Sequence, residues 1–219
     1  MLERSIEAGR NIVPQGSEAG RGDVVMVKGT RLDSPQIALL ASVGCVEVPV
    51  WRRPQVAILS TGDEVLPIDA TPESFQIRNS NAASLAAQVR RRGGERALLP
   101  IAPDRLPETR DLIRRGLQAD MLLLSGGVSM GKHDLVETAL AELGAEILIT
   151  QVKIQPGKPF VFGLVGDRPV CGLPGNPVST MVTLSCLPGR RSSCWPAFPR
   201  PRCLSSRRFW LSRSATSLC

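Results

Sequence analysis

The chain has no tyrosine and one histidine, His133, and only 4% of its 219 residues are aromatic. Catalysis or zinc binding built on several histidines is therefore disfavoured. The six cysteines include no Cys-x-x-Cys pair, and Cys45 and Cys171 lie in apolar contexts. They read as buried, reduced thiols of a cytosolic protein. No apolar run is long enough to span a bilayer, and no charged-then-apolar leader pattern opens the chain. A cytoplasmic location without a membrane partner is expected.

Lysine and both acids are missing from the last 33 residues, 187–219, which carry seven arginines and three of the cysteines. The formal net charge of +7 therefore belongs to this tail, and residues 1–186 are neutral overall. A basic pI then says little about the body, and no nucleic-acid partner is expected. The tail has no sustained periodicity. We expect it to be disordered and aberrant, an out-of-frame end rather than a packed domain; a basic arm that binds nucleic acid is the alternative.

What remains is organised around one stretch. Residues 121–124 form an apolar run, Ser125, Gly126 and Gly127 open a loop, Gly131 keeps it thin, and a helical spacing begins near Asp134 with Leu135, Ala139, Leu140 and Leu143. A strand thus feeds a glycine-rich loop and a helix N-terminus, where free N–H groups and a partial positive charge face outward. Further strands are expected at 55–59, 96–101, 147–152, 160–164 and 170–173, with helices at 79–92, 104–117 and from about 178. This alternation argues an α/β fold with a mainly parallel sheet covered on both faces. Ahead of it, 23–27 and 46–50 read as strands. Between them Ser34-Pro35 starts a helix, with Ser34 as cap, and Gly44 stops it. We divide the chain into a small α+β remnant (1–50), the main domain (51–186) and the tail (187–219).

Several strand ends carry candidate chemistry. Asp63 and Glu64 follow the first strand of the main domain; adjacent carboxylates can share Mg²⁺, or simply cap a turn. Asp104 and Asp134 follow other strands and can cap the next helices. Acids on one rim beside N–H-rich loops suit a metal-bridged phosphate ligand. Lys158, next to Pro156-Gly157, can reach an anion from a rigid turn. Pro174-Gly175-Asn176-Pro177 makes a helix start, with Asn176 as cap, and a second anion seat. Arg78-Asn79-Ser80-Asn81 offers a further helix start of this kind.

Together, Ser60-Thr61-Gly62-Asp63-Glu64, Ile77-Arg78-Asn79-Ser80-Asn81, Ser125-Gly126-Gly127-Val128-Ser129-Met130-Gly131, Pro156-Gly157-Lys158-Pro159 and Leu173-Pro174-Gly175-Asn176-Pro177-Val178-Ser179 resemble the MoeA family in order and approximate spacing. These are the molybdopterin molybdenumtransferases, a group that includes the E domain of gephyrin. The resemblance spans about residues 8–184. It implies a three-layer MogA-like domain, here truncated at both ends. It also implies the last step of molybdenum cofactor synthesis, in which adenylylated molybdopterin and molybdate are substrates and Mg²⁺ assists release of AMP.

By motif position, Asp63, Glu64, Asp104 and Asp134 are the functional acids, with Asp63, Glu64 and Asp134 the metal candidates. Substrate contacts fall to Thr61, Gly62, Asn79, Ser80, Ser125, Gly126, Gly127, Ser129, Gly131, Lys158, Pro174, Gly175, Asn176 and Pro177. The family usually has lysine where this chain has Gln155. The resemblance also implies a homodimer, with a MogA-like adenylyltransferase as a possible partner. Two other functions stay open: a MogA-type molybdopterin adenylyltransferase, and a non-catalytic molybdopterin-binding scaffold.

Overall fold

Apolar runs of four to six residues, too short for helices, become strands buried on both faces. In the computed structural model, which describes residues 8–127, 135–186 and 207–210, β2 (Gln55–Ser60), β6 (Met121–Ser125) and β9 (Arg168–Leu173) are such strands. Alternate side chains point to opposite faces. Val56, Ile58, Met121, Leu123, Cys171 and Leu173 pack with Leu85 and Val89 of α2 (Ser80–Arg91) and Leu184 of α5 (Pro177–Cys186). Ala57, Leu59, Leu122, Leu124 and Val170 pack with Ile113 of α3 (Leu106–Gly116) and Leu140 of α4 (Leu135–Glu142). The result is the expected three-layer α/β arrangement.

The sheet order is β5-β2-β6-β9-β8-β7, with β5 at Glu95–Leu98, β7 at Ala145–Gln151 and β8 at Pro159–Val165. β5, β2, β6 and β9 run parallel, while β8 is antiparallel to both β9 and β7. Register puts Ser60 opposite Ser125 and Ser125 opposite Leu173. Three parallel strands thus end level, and their loops leave from one rim.

The chain divides into two units, Met1–Pro49 with Arg208–Cys219, and Val50–Arg207. In the first, α1 (Ser34–Ser42) is capped by Asp33 rather than Ser34: Asp33 Oδ1 accepts from Ser34 N at 2.9 Å, and Gln36 Oε1 accepts from Asp33 N at 3.2 Å. The carboxylate completes a capping box that Ser34, already inside the helix, cannot make. Gly44, at φ +74°, follows the helix end as expected. The expected strand at 23–27 does not form; Val24 and Val27 are 79% and 67% exposed, with no burial to reward pairing. β1 (Glu47–Val50) pairs with β10 (Arg207–Trp210), so the tail contributes one short strand; the rest of it lies outside the described residues.

In the second unit, helix α3 starts later than expected. Arg105 occupies its N-cap without a side-chain bond, so Asp104 is not the cap. The strand expected to reach residue 101 ends at Leu98. Two-residue strands β3 (Val65–Leu66) and β4 (Ile77–Arg78) pair in parallel; they are too short for periodicity to show.

At the opposite end of the sheet, Asp120 sits just before β6. It takes both terminal guanidinium nitrogens of Arg52, the Gln55 N–H at 2.8 Å, and Arg168 Nη1 at 3.4 Å. Burial works against its charge. The Arg52 and Gln55 hydrogen bonds and the two guanidinium charges outweigh that, and hold the carboxyl below its usual value. The clamp ties the starts of β2, β6 and β9. Burial alone pushes the Cys171 thiol up to about 12, so it is inert in the core, as expected.

A carboxyl with a depressed native pKa stabilises the fold fully above its unfolded value, about 3.9, and loses that contribution as pH falls through the native value. Asp120→Asn should therefore cost about 1–3 kcal/mol at neutral pH. In urea denaturation the gap between variant and parent should be full at pH 7 and close at pH values below the native pKa of Asp120. A gap independent of pH would contradict the clamp.

Candidate functional site

The three level strand ends are laced together by main chain. Thr61 N donates to Ser125 O at 3.1 Å, Gly62 N to Ala102 O at 3.1 Å, and Gly126 N to Leu173 O at 3.2 Å. Such close approach needs glycine. Gly126 has φ +92°, and a Cβ there would meet Thr61 O at 2.9 Å. Gly127 has φ +62°, and a Cβ would meet Val136 Cγ2 at 2.7 Å and Thr61 Oγ1 at 2.9 Å. The strand-loop-helix reading of this stretch holds through Gly127.

The rim encloses a cleft of about 530 Å³, within the roughly 300–1,000 Å³ range of small-molecule sites. Of the expected site residues, Thr61, Gly62, Glu64, Asn79, Ser80, Asp104, Ser125, Gly126, Gly127, Pro174, Gly175, Asn176 and Pro177 all line it. Asp63 lines an adjoining alcove instead. Lys158 is exposed and does not line the cleft, although its neighbour Pro159 does. Ser129, Gly131 and Asp134 lie outside the described residues.

The acids are arranged in a specific way. Asp63 Oδ1 accepts from Asp104 N at 3.1 Å, and Asp104 Oδ2 accepts from Asp63 N at 3.4 Å. This reciprocal clasp joins the ends of the β2 and β5 loops and leaves each carboxylate a second oxygen. The Glu64 carboxyl folds over Gly62; a Cβ on Gly62 would lie 2.5 Å from its Oε2. Among the described residues, no three acids, cysteines or histidines gather closely enough to hold a metal by themselves.

Two helices begin at the cleft. Asn79 caps α2 by accepting from Ala82 N at 3.1 Å, and takes the Ser60 hydroxyl at 3.0 Å. Asn176 caps α5, accepting from Val178 N at 3.0 Å and Ser179 N at 3.2 Å, as expected of its motif. Pro174 and Asn176 carbonyls are further held by the buried Thr180 hydroxyl. Both helix N-termini contribute positive potential here.

Asn81 is the residue that motif reading left out of the site. Its Nδ2 donates to Ser125 Oγ at 2.9 Å and to Gly175 O at 2.7 Å, so one amide ties α2 to the loops after β6 and β9. Since Gly175 O can only accept, the amide orientation is fixed, and Oδ1 is left buried without a partner. The signal was available: Asn81 precedes Leu85 and Val89 at four-residue steps, placing a polar residue on the buried stripe of α2.

Asn81→Leu keeps the shape and removes both bonds, worth about 1–3 kcal/mol in a partly buried setting. Amide hydrogen exchange at Gly126 and Gly175 should accelerate about tenfold or more, while exchange in β2 and β6 stays at the parent rate. Unchanged exchange in both loops would show that Asn81 does not hold them.

The comparisons with known proteins agree with this geometry. Residues 57–188 match the family described as a probable molybdopterin binding domain. A molybdopterin molybdenumtransferase of Nostoc sp. is 40% identical over 166 residues, covering 74% of this chain and 38% of the relative. That of Haemophilus influenzae is 37% identical over 175 residues, covering 80% and 43%. The solved molybdopterin biosynthesis MoeA protein of Pyrococcus horikoshii superposes with a TM-score of 0.64 at 35% identity, over 72% of this chain and 39% of that one. This chain therefore spans about two fifths of the length of the curated relatives it matches. No helix among the described residues is long and apolar enough to cross a membrane. With a rim of glycine-bearing strand ends and relatives of this kind, the chain belongs to the molybdopterin-binding domain family and, within it, to the MoeA group.

Proposed function

We propose that the cleft binds adenylylated molybdopterin and supports insertion of molybdate with release of AMP, in a cytoplasmic setting. The observation that carries this reading is the joining of three strand-end loops by Thr61, Gly126 and Asn81 into one cleft between two helix N-termini. Backbone N–H groups in such loops, with the dipoles of α2 and α5, suit the phosphate side of the ligand. Pro174 and Pro177 frame the start of α5 and keep that seat rigid. Lys158 stands outside the cleft wall and would serve as a long-range cation that steers the anionic substrate.

The acids fit Mg²⁺. It asks for one or two carboxylates and keeps much of its water. Glu64 and Asp104 line the cleft, and Asp104 retains a free oxygen because Asp63 N holds only the other. These two would hold the ion, with Asp134 as a further donor and Asp63 fixing Asp104 through its backbone N–H. Bound there, Mg²⁺ would offset the phosphate charge while the P–O–P anhydride bond opens and AMP leaves with its phosphate. The chain's own residues do the rest: the loop N–H groups and helix N-termini orient the phosphates, and the Asp63–Asp104 clasp fixes the acids in place.

The family's homodimer is part of the proposal, as is a MogA-like adenylyltransferase that supplies the adenylylated substrate. Likewise we propose the division at about residue 50, with the molybdopterin-binding domain running to about 186.

The direct test incubates the purified chain with adenylylated molybdopterin, molybdate and Mg²⁺, and follows AMP by chromatography. AMP release together with molybdenum bound to the pterin is expected. Binding without release would favour the scaffold, and ATP-dependent formation of the adenylylated pterin would favour an adenylyltransferase.

Two variants locate the site. Asp104→Asn should abolish the strengthening of AMP binding by Mg²⁺ seen in calorimetry, while leaving the Mg²⁺-free affinity within about threefold. Gly126→Val should lower AMP affinity by more than about tenfold, equivalent to 1.4 kcal/mol, with an unchanged circular dichroism spectrum.

A further inference from the structure

Two carboxyl side chains, Glu64 and Asp104, line the cleft, and among the described residues that line it only Arg78 carries a positive charge. Lys158 stands outside the wall. An anion that enters without a metal therefore meets two carboxylates and one guanidinium. The main chain sets Arg78 in place for that encounter. It lies in β4 opposite Leu66. The bonds on either side of it, Ile77 N to Glu64 O and Asn79 N to Leu66 O, are both 2.8 Å. Its side chain is tied once: Nε donates at 3.0 Å to Ala70 O, in the loop between β3 and β4. None of the ion pairs among the described residues includes Arg78. By contrast, Arg52, Arg110, Arg114 and Arg168 each hold a carboxylate.

A guanidinium carries five N–H donors in a planar fork. Ala70 O takes one of them, and the two terminal nitrogens keep four. Paired terminal N–H groups suit two oxygens of a phosphate side by side. The Nε bond already restricts the fork, so less side-chain freedom is lost when an anion arrives. We propose that Arg78 is the phosphate-anchoring residue of the cleft, holding the ligand's phosphate through its terminal nitrogens whether or not a metal is bound. This assignment rests on the reading of the cleft given under Proposed function. Arg78 and the acids then divide the work. Arg78 supplies the metal-independent affinity, and Glu64 and Asp104 supply the part that Mg²⁺ adds. A lysine replaces Arg78 only in part, because an ammonium brings the charge without the fork.

The test measures AMP binding by calorimetry without Mg²⁺, across a salt series, on the full chain and on Arg78→Gln, Arg78→Lys and Arg90→Gln. Arg78→Gln should weaken AMP about tenfold or more and flatten the salt dependence of its affinity. Arg78→Lys should restore the salt dependence and recover part of the affinity. Arg90 is exposed at the far end of α2 and lines neither the cleft nor the alcove beside it. Arg90→Gln removes the same net charge and should leave AMP affinity within about twofold of the parent. An Arg78 that merely staples the β3–β4 loop would give a different result: weaker AMP binding with the parent's salt dependence kept in Arg78→Gln, and no gain from Arg78→Lys. That result would overturn the assignment, as would AMP affinity unchanged in Arg78→Gln or an equal loss in Arg90→Gln. Each of these leaves the cleft reading intact, since the parent still binds AMP. Failure of the folded parent to bind AMP, with or without Mg²⁺, would overturn both.

Discussion

The structure depends on three parallel strands that stop at the same height. Ser60, Ser125 and Leu173 stand side by side in the sheet, and two backbone bonds, Thr61 N to Ser125 O and Gly126 N to Leu173 O, carry the ladder one step past the strands. Hydrogen bonds of parallel strands are slanted and evenly spaced, so a strand ending one residue early would leave buried polar groups unpaired at the rim. Everything functional follows from that line: glycines where loops touch, acids where they turn, and helices starting just beyond.

The two ends of the sheet solve opposite problems. At the start of the strands, Asp120 collects Arg52, the Gln55 N–H and Arg168 into a saturated ionic knot. Nothing there is left to bind. At the finish, polar capacity is deliberately incomplete. Asp63 and Asp104 each keep an oxygen, and Asn81 Oδ1 has no partner. Saturation at one end gives rigidity, and the unsatisfied end is where a ligand gains most, because donors and acceptors already in place need no reorganisation.

The sheet was legible in the sequence because its strands are continuous aliphatic runs: residues 56–59 and 121–124 have no other reading once both faces are buried. The helices were legible from their caps, Asn79 and Asn176. The expected strand at 23–27 failed because β-propensity without a partner and without burial does not hold a strand. Asp104 was misread as a cap because local pattern cannot show that Asp63, 41 positions away, claims it. Asn81 was overlooked for the same reason; its partners Ser125 and Gly175 are distant in sequence. The motifs marked the rim, and long-range hydrogen bonds decided how the residues of each motif are held around the cleft.

The central claim is that ligand binds where the parallel strands finish. The most direct measurement is an amide chemical-shift map of the ¹⁵N-labelled chain titrated with AMP and Mg²⁺. Shifts should concentrate on Gly62, Gly126, Gly127, Gly175 and Val178, and Gln55 and Asp120 at the other end should not move. Saturable shifts centred on Gln55 and Asp120, or on residues away from the rim, would contradict the account.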